Sequence, residues 1–122
     1  MAQVKEDKVR EERINMEVVV DAYDEEERSR GWYYYLKDTM QFPFKAKCIN
    51  KRSTSPLQVK DKVEVTGMPA EDDCEHEMFA NIKWQKQTLA VPLSQLEPVE
   101  VDEDTQQAVE DWHYWVARGY EF

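Results

Sequence analysis

The hydrophobic period of the chain changes at Phe42-Pro43-Phe44, which confines it to a fold whose helices and strands occupy separate stretches. Before that point Trp32, Tyr35, Leu36 and Met40 recur at three- and four-residue steps, which puts them on one face of a helix with Lys37 and Asp38 on another. Upstream, from Ile14 on, the apolar residues Met16, Val19, Val20 and Tyr23 have the same spacing, although Val18 to Val20 also suits a short strand. Proline forces the preceding residue out of helical geometry and ends this region. From Phe44 the period becomes two. Phe44, Ala46 and Cys48 alternate with Lys45 and Lys47, and a second alternation from Val59 to Val65 stops at Gly67. A run from Met78 to Trp84 is joined through Gln85-Lys86-Gln87 to Thr88–Val91, as in a hairpin, and Pro92 to Leu96 reads as one helical turn. Last, Ala108, Val109, Trp112, Trp115 and Val116 share a helix face that closes before Gly119. The expectation is a single α+β domain over 1–122. It has a helical region at 14–40, a small SH3-like antiparallel β-barrel at 44–97, a helix at 102–118, and a frayed, charge-mixed end at 1–13 with little chemistry.

Composition removes several function classes. Three glycines, Gly31, Gly67 and Gly119, are too dispersed for a dinucleotide fingerprint or a phosphate loop. No stretch approaches the roughly 20 apolar residues of a membrane helix, and the N-terminus is charged where a signal peptide turns apolar, so a cytoplasmic protein is expected. Two cysteines, Cys48 and Cys74, are too few for a disulfide scaffold. Zinc is conceivable from Cys48, Cys74, His76 and His113, but Cys74-Glu75-His76 lacks the ligand gap zinc sites use; Cys48 is expected to face inward, His76 outward, and Cys74 to be incidental. Ser29, Ser53, Ser55 and Ser94 form no recognisable motif with either histidine, so no enzyme is expected. The runs Trp32–Tyr35 and Trp112–Trp115 could stack bases, yet acidity opposes that and core packing is the preferred use.

The distribution of charge is the informative feature. With 26 Asp and Glu against 16 Lys and Arg, the net charge is −10, which repels nucleic acid and anionic lipid and favours cations or a basic partner. Residues 44–62 nevertheless carry +5, whereas Asp21–Arg28 carries −4 and Glu97–Asp104 carries −5. Glu71, Asp72, Asp73, Glu75 and Glu77 put −5 into seven residues, a self-repulsion relieved by a bound cation, a basic group or solvent. Two of the clusters have an ordinary structural use. Asp104 with Gln107 resembles a capping box, which would also employ Asp102, and Asp24 to Glu27 suits a solvated turn or helix start. The Glu71–Glu77 loop has no helix end and no i+4 salt-bridge partner in its own sequence.

Calcium is the cation such a loop suits, because it accepts six to eight hard oxygens at about 2.3–2.6 Å in irregular geometry, whereas magnesium demands a stricter octahedron. An EF-hand is excluded, since no acidic stretch has glycine at its sixth position.

Several strings resemble one family: Ile14-Asn15-Met16-Glu17-Val18-Val19-Val20-Asp21-Ala22-Tyr23, Gly31-Trp32-Tyr33-Tyr34-Tyr35-Leu36, Phe42-Pro43-Phe44-Lys45-Ala46, Val91-Pro92-Leu93-Ser94-Gln95-Leu96 and Asp111-Trp112-His113-Tyr114-Trp115. In order from Ile14 onward, they look like the cyanobacterial CcbP calcium-binding family. The resemblance implies a non-EF-hand calcium buffer that binds through acidic surface residues, and whose removal lets free calcium rise during heterocyst differentiation. On that reading Asp38 and Glu71, Asp72, Asp73, Glu75 and Glu77 are the expected ligands of one site, with Asp102 and Asp104 as candidates for another. Lys37 beside Asp38 would lower affinity there. The competing expectation is an interaction module whose acidic patches dock a basic protein; in either case the protein is expected to be monomeric.

Overall fold

The computed structural model describes residues 7–20 and 22–118. Helix α1 (Lys8–Arg13) runs directly into a π-helical turn, Ile14–Val18, and after a break α2 spans Glu25–Thr39. Five strands follow: β1 (Phe44–Cys48), β2 (Lys62–Gly67), β3 (Phe79–Trp84), β4 (Gln87–Pro92) and β5 (Leu96–Val99). Helix α3 (Glu103–Ala117) closes the chain, and 3-10 turns stand at Glu71–Cys74 and Leu93–Gln95. All strand pairs are antiparallel, in the order β4-β3-β2-β1-β5. The fold is therefore α+β as expected, but the sheet ends at β4 and β5, so it is open where the sequence suggests a closed barrel.

The alternating residues of the strands build one side of the core. Ala46, Cys48, Val63, Val65, Ala80 and Ile82 are buried, while Lys45, Lys62 and Lys83 are exposed. The β3–β4 hairpin turns on two residues, Gln85 and Lys86, both at positive φ (48° and 70°), as a type I′ turn requires. Gln87 thus belongs to β4 rather than to the tip. The second strand starts at Lys62, later than its alternation suggests, because Val59 and Lys60 form a turn.

Helices α2 and α3 supply the other side. Trp32 and Leu36 from α2, with Met40 just past its end, share the core with Ala108, Val109, Trp112 and Trp115 from α3, and Trp32 packs edge-on to Trp112 at 5.1 Å between ring centroids. The aromatic runs are core, as expected, apart from Tyr34, which is exposed; Val116 is also exposed. Gly31 lies within α2, where a Cβ would overlap the carbonyl oxygen of Val18. The π-helical turn and α2 can approach only because no side chain stands between them.

Two expectations about the N-terminal region are corrected. Met16, Val20 and Tyr23 do not face the core: they are 66%, 51% and 83% exposed, while Ile14 and Val18 are buried. The wider π-turn, closed by Val19 N–H donating to the Ile14 carbonyl at 3.0 Å, directs residues four apart inward and turns Met16 out. Nor is Lys8–Arg13 an idle charged end. Arg10 and Arg13 both reach the fully buried Asp111 of α3. Residues 1–6 and the Gly119 helix stop lie outside the described residues.

Candidate functional site: the acidic loop and its neighbours

Between β2 and β3 the acidic segment is a 3-10 turn, Glu71–Cys74, rather than an unstructured loop. Cys74 is its anchor: the side chain is buried, its Sγ accepts from the Phe79 N–H at 3.5 Å, and burial pushes its thiol pKa up. The cysteine is therefore structural rather than incidental, and an apolar residue pinned in the middle of the run fixes the orientation of the acids around it. Asp72, Asp73 and Glu75 are exposed, and Glu71 and Glu77 are half-buried.

The two half-buried acids have basic partners, and these come from elsewhere in the sequence, since the loop itself supplies none at i+4. Glu71 Oε2 accepts from the Tyr34 hydroxyl at 2.6 Å, while its Oε1 lies 3.4 Å from Arg30 Nε. The Glu71 carboxylate raises the Tyr34 pKa. Glu77 takes a two-pronged pair of bonds from Arg52, at 2.6 and 3.1 Å, and this hydrogen bonding raises the Arg52 pKa. Tyr33 adds a further strap by donating to the Pro69 carbonyl at 2.6 Å.

Asp38 is exposed in the last turn of α2. It follows Tyr34 by four residues and therefore shares its helix face, in a row that reads Glu26, Arg30, Tyr34, Asp38. Two members of that row touch Glu71, so Asp38 stands one turn further along the helix face that meets the loop. A carboxylate at a helix C-terminus sits against the negative end of the dipole, among carbonyls without helical partners, and that set of hard oxygens is favourable to a cation. The Lys37 Nζ stands 5.6 Å from the centroid of the Tyr33 ring.

Asp102 and Asp104 lie elsewhere, at the start of α3. The capping residue is Asp102 rather than Asp104: its carboxylate accepts from Thr105 N at 3.1 Å and Thr105 Oγ1 at 2.5 Å, and the Thr105 side-chain hydrogen bond lowers its pKa. Asp104 is exposed in the first turn. Asp24 likewise caps α2 by accepting from Glu27 N at 2.8 Å, the helix start that the sequence allowed. The thiols and histidines do not gather: Cys48 is buried on β1, His76 is exposed, and His113 is tied to the Leu96 carbonyl at 2.7 Å.

Among the described residues no three His, Cys, Asp or Glu side chains converge as a ready metal cage. The donor set is nonetheless chemically suited to calcium: several carboxylates and helix-end carbonyls, all hard oxygens, most of them solvent-accessible. Residues 12–116 match the family model Calci_bind_CcbP, described as calcium binding. The chain belongs to the CcbP family of calcium-binding proteins. Two solved structures support this over their full lengths. The crystal structure of Anabaena CcbP is 45% identical with a TM-score of 0.88, covering 100% of both chains. A calcium-binding protein in its calcium-binding form is 44% identical with a TM-score of 0.87, also covering 100% of both. A search of the curated proteins gives no match. Membership of the CcbP family makes calcium the ligand of this chain. No helix among the described residues is long and apolar enough to cross a membrane.

Proposed function

We propose that the protein is a non-catalytic, reversible calcium buffer. Its main site is built on Asp38, Glu71, Asp72, Asp73, Glu75 and Glu77, with Asp102 and Asp104 as a lesser site. The observation that carries this reading is the pinning of an acidic 3-10 turn by Cys74, which leaves Asp72, Asp73 and Glu75 exposed to solvent. Exposed carboxylates without a preformed cage bind through summed field more than fixed geometry. That favours moderate affinity and rapid exchange over the tight grip of a rigid loop. Buffering in the cytoplasm, including the calcium control of heterocyst differentiation in a cyanobacterial host, is the role such a site would serve.

Calorimetric titration tests the placement. Asp72→Asn with Asp73→Asn should weaken calcium uptake about tenfold, as expected when two carboxylates leave a site of hard oxygens. Unchanged affinity would move the site elsewhere. Amide spectra that barely change on adding calcium are expected of a buffer; a large change would make the protein a sensor.

A second reading has its own support. The loop already receives Arg30 and Arg52 from within the chain, so its acids can also dock guanidinium groups of a basic partner. Capture of a basic protein that survives chelation but fails at high salt would favour it.

A further inference from the structure

The solvent face of the sheet is basic, in contrast to the rest of an acidic molecule. Along β1, Lys45 and Lys47 point away from the buried Ala46 and Cys48. The register sets Lys47 directly opposite Lys62 of β2, Lys45 opposite Glu64, and Glu97 of β5 on the other side of Lys47. Lys83 of β3 completes the group by pairing with Glu64 at 3.0 Å, and among the described residues that is the ion pair this face makes. The carboxylate nearest Lys45 in register is therefore already engaged. Like charges directly opposed across a ladder cost stability, and among the described residues Lys47 is offset against Lys62 only by Glu97 on its other side, with which it makes no close ion pair. Lys60, two residues before Lys62, is held at φ 81°, in the left-handed region that glycine would occupy without strain.

We propose that this face, centred on Lys47 and Lys62, docks a short acidic segment of a partner protein. Lysines at alternate positions of β1 repeat at about 7 Å, the same repeat as carboxylates on one side of an extended segment. The patch is also bounded, because the acidic run Glu97–Asp104 begins on the neighbouring strand. Nucleic acid carries a charge about every 1.7 Å and would continue onto those acids, whereas a segment with a few carboxylates ends within the lysines. At cellular salt, fields fade over about 8 Å, so the local lysines rather than the net charge of −10 decide contact. The acidic loop takes no part, and the proposal is independent of the calcium site.

Fluorescence anisotropy with a labelled oligoglutamate peptide, in the presence of a chelator, tests it. The wild-type protein should bind, and Lys47→Glu with Lys62→Glu should weaken binding about tenfold or more. Lys47→Gln with Lys62→Gln should cause a smaller loss, and it keeps the test intact if the doubly reversed variant fails to fold. Lys8→Glu with Arg28→Glu changes net charge equally but lies on helices α1 and α2, and should leave binding within about twofold. The single change Lys62→Glu should raise the melting temperature by turning the opposed pair into an attractive one while weakening the peptide complex. No binding by the wild type, an equal loss in the charge-matched control, or tighter binding of single-stranded DNA or phosphatidylglycerol vesicles would overturn the proposal.

Discussion

Arg13 and Asp111, 98 residues apart in sequence, form the tightest ionic contact between the ends of the chain, with Arg13 Nη2 2.6 Å and Nε 3.0 Å from the two carboxylate oxygens. Asp111 is wholly buried and accepts also from Arg10 Nη1 and the Tyr35 hydroxyl, both at 2.7 Å. This one side chain therefore joins α1, α2 and α3. Burial, then the bond to Asp111, push the Tyr35 pKa far up, so its hydroxyl remains a donor. The bond to Asp111 likewise raises the Arg13 pKa. Asp111→Ala strands two half-buried guanidinium groups, and loss of one partner of such a pair costs about 3–5 kcal/mol. An unfolding free energy lowered by that amount in urea titration is expected; a loss below about 1 kcal/mol, the scale of a surface pair, would show that the network is solvated.

Gly31→Ala should destabilise the protein, although alanine in a helix interior ordinarily gains about 0.5–1 kcal/mol over glycine. The added methyl meets the Val18 carbonyl, a backbone atom that cannot rotate away. The π-helical turn must then shift, at the cost of about 1–3 kcal/mol typical of overpacking. Thermal unfolding decides the sign, and a stabilised variant would refute the close approach.

The features that sequence reading captured are those carried by local period. The strands that begin near Phe44 and Met78, the turn at Leu93, and the core faces of α2 and α3 follow from spacing within a window of a few residues. The π-helical turn was invisible because Ile14 and Val18 suit an α-helix equally well, and only the missing space beside Gly31 distinguishes the two. Asp102 and Asp104 both offer a carboxylate three residues before a polar side chain, and it is Thr105, with both its N–H and its hydroxyl on Asp102, that selects the cap. At the candidate site the acids were legible as charge density, whereas their partners were not. Arg52 lies 25 residues from Glu77 and Tyr34 lies 37 from Glu71, so only the tertiary fold brings them together.

His113 should make the protein less stable in mild acid. Burial lowers its pKa below the ordinary imidazole value of 6.5, and its ring meets the Leu96 carbonyl at 2.7 Å, which joins α3 to β5. With the folded pKa below the unfolded one, the unfolded chain binds more protons in this range, so stability rises with pH. The contribution is complete above about pH 6.5 and is lost as pH falls through that value toward the folded pKa. Urea midpoints measured across this window should fall with pH, and His113→Gln should flatten that part of the slope. An unchanged slope in the variant would assign the pH dependence to other groups.

Arg52→Gln should tighten calcium binding while loosening the fold. In the wild type Arg52 occupies both oxygens of Glu77, and a calcium ion recruiting that carboxylate must displace a charged, two-pronged partner. Removing the guanidinium frees Glu77 and also deletes one positive charge beside the loop, so both changes act in the same direction. Arg52 and Glu77 are partly exposed, so their pairing contributes no more than about 1 kcal/mol to folding, and the affinity gain should be correspondingly modest, about two- to fivefold. Calorimetry on Arg52→Gln, with Arg30→Gln as the equivalent change at Glu71, measures it. If affinity falls in both variants, the arginines hold the loop in its binding shape rather than compete with the ion, and Glu71 and Glu77 are scaffolding for Asp72, Asp73 and Glu75.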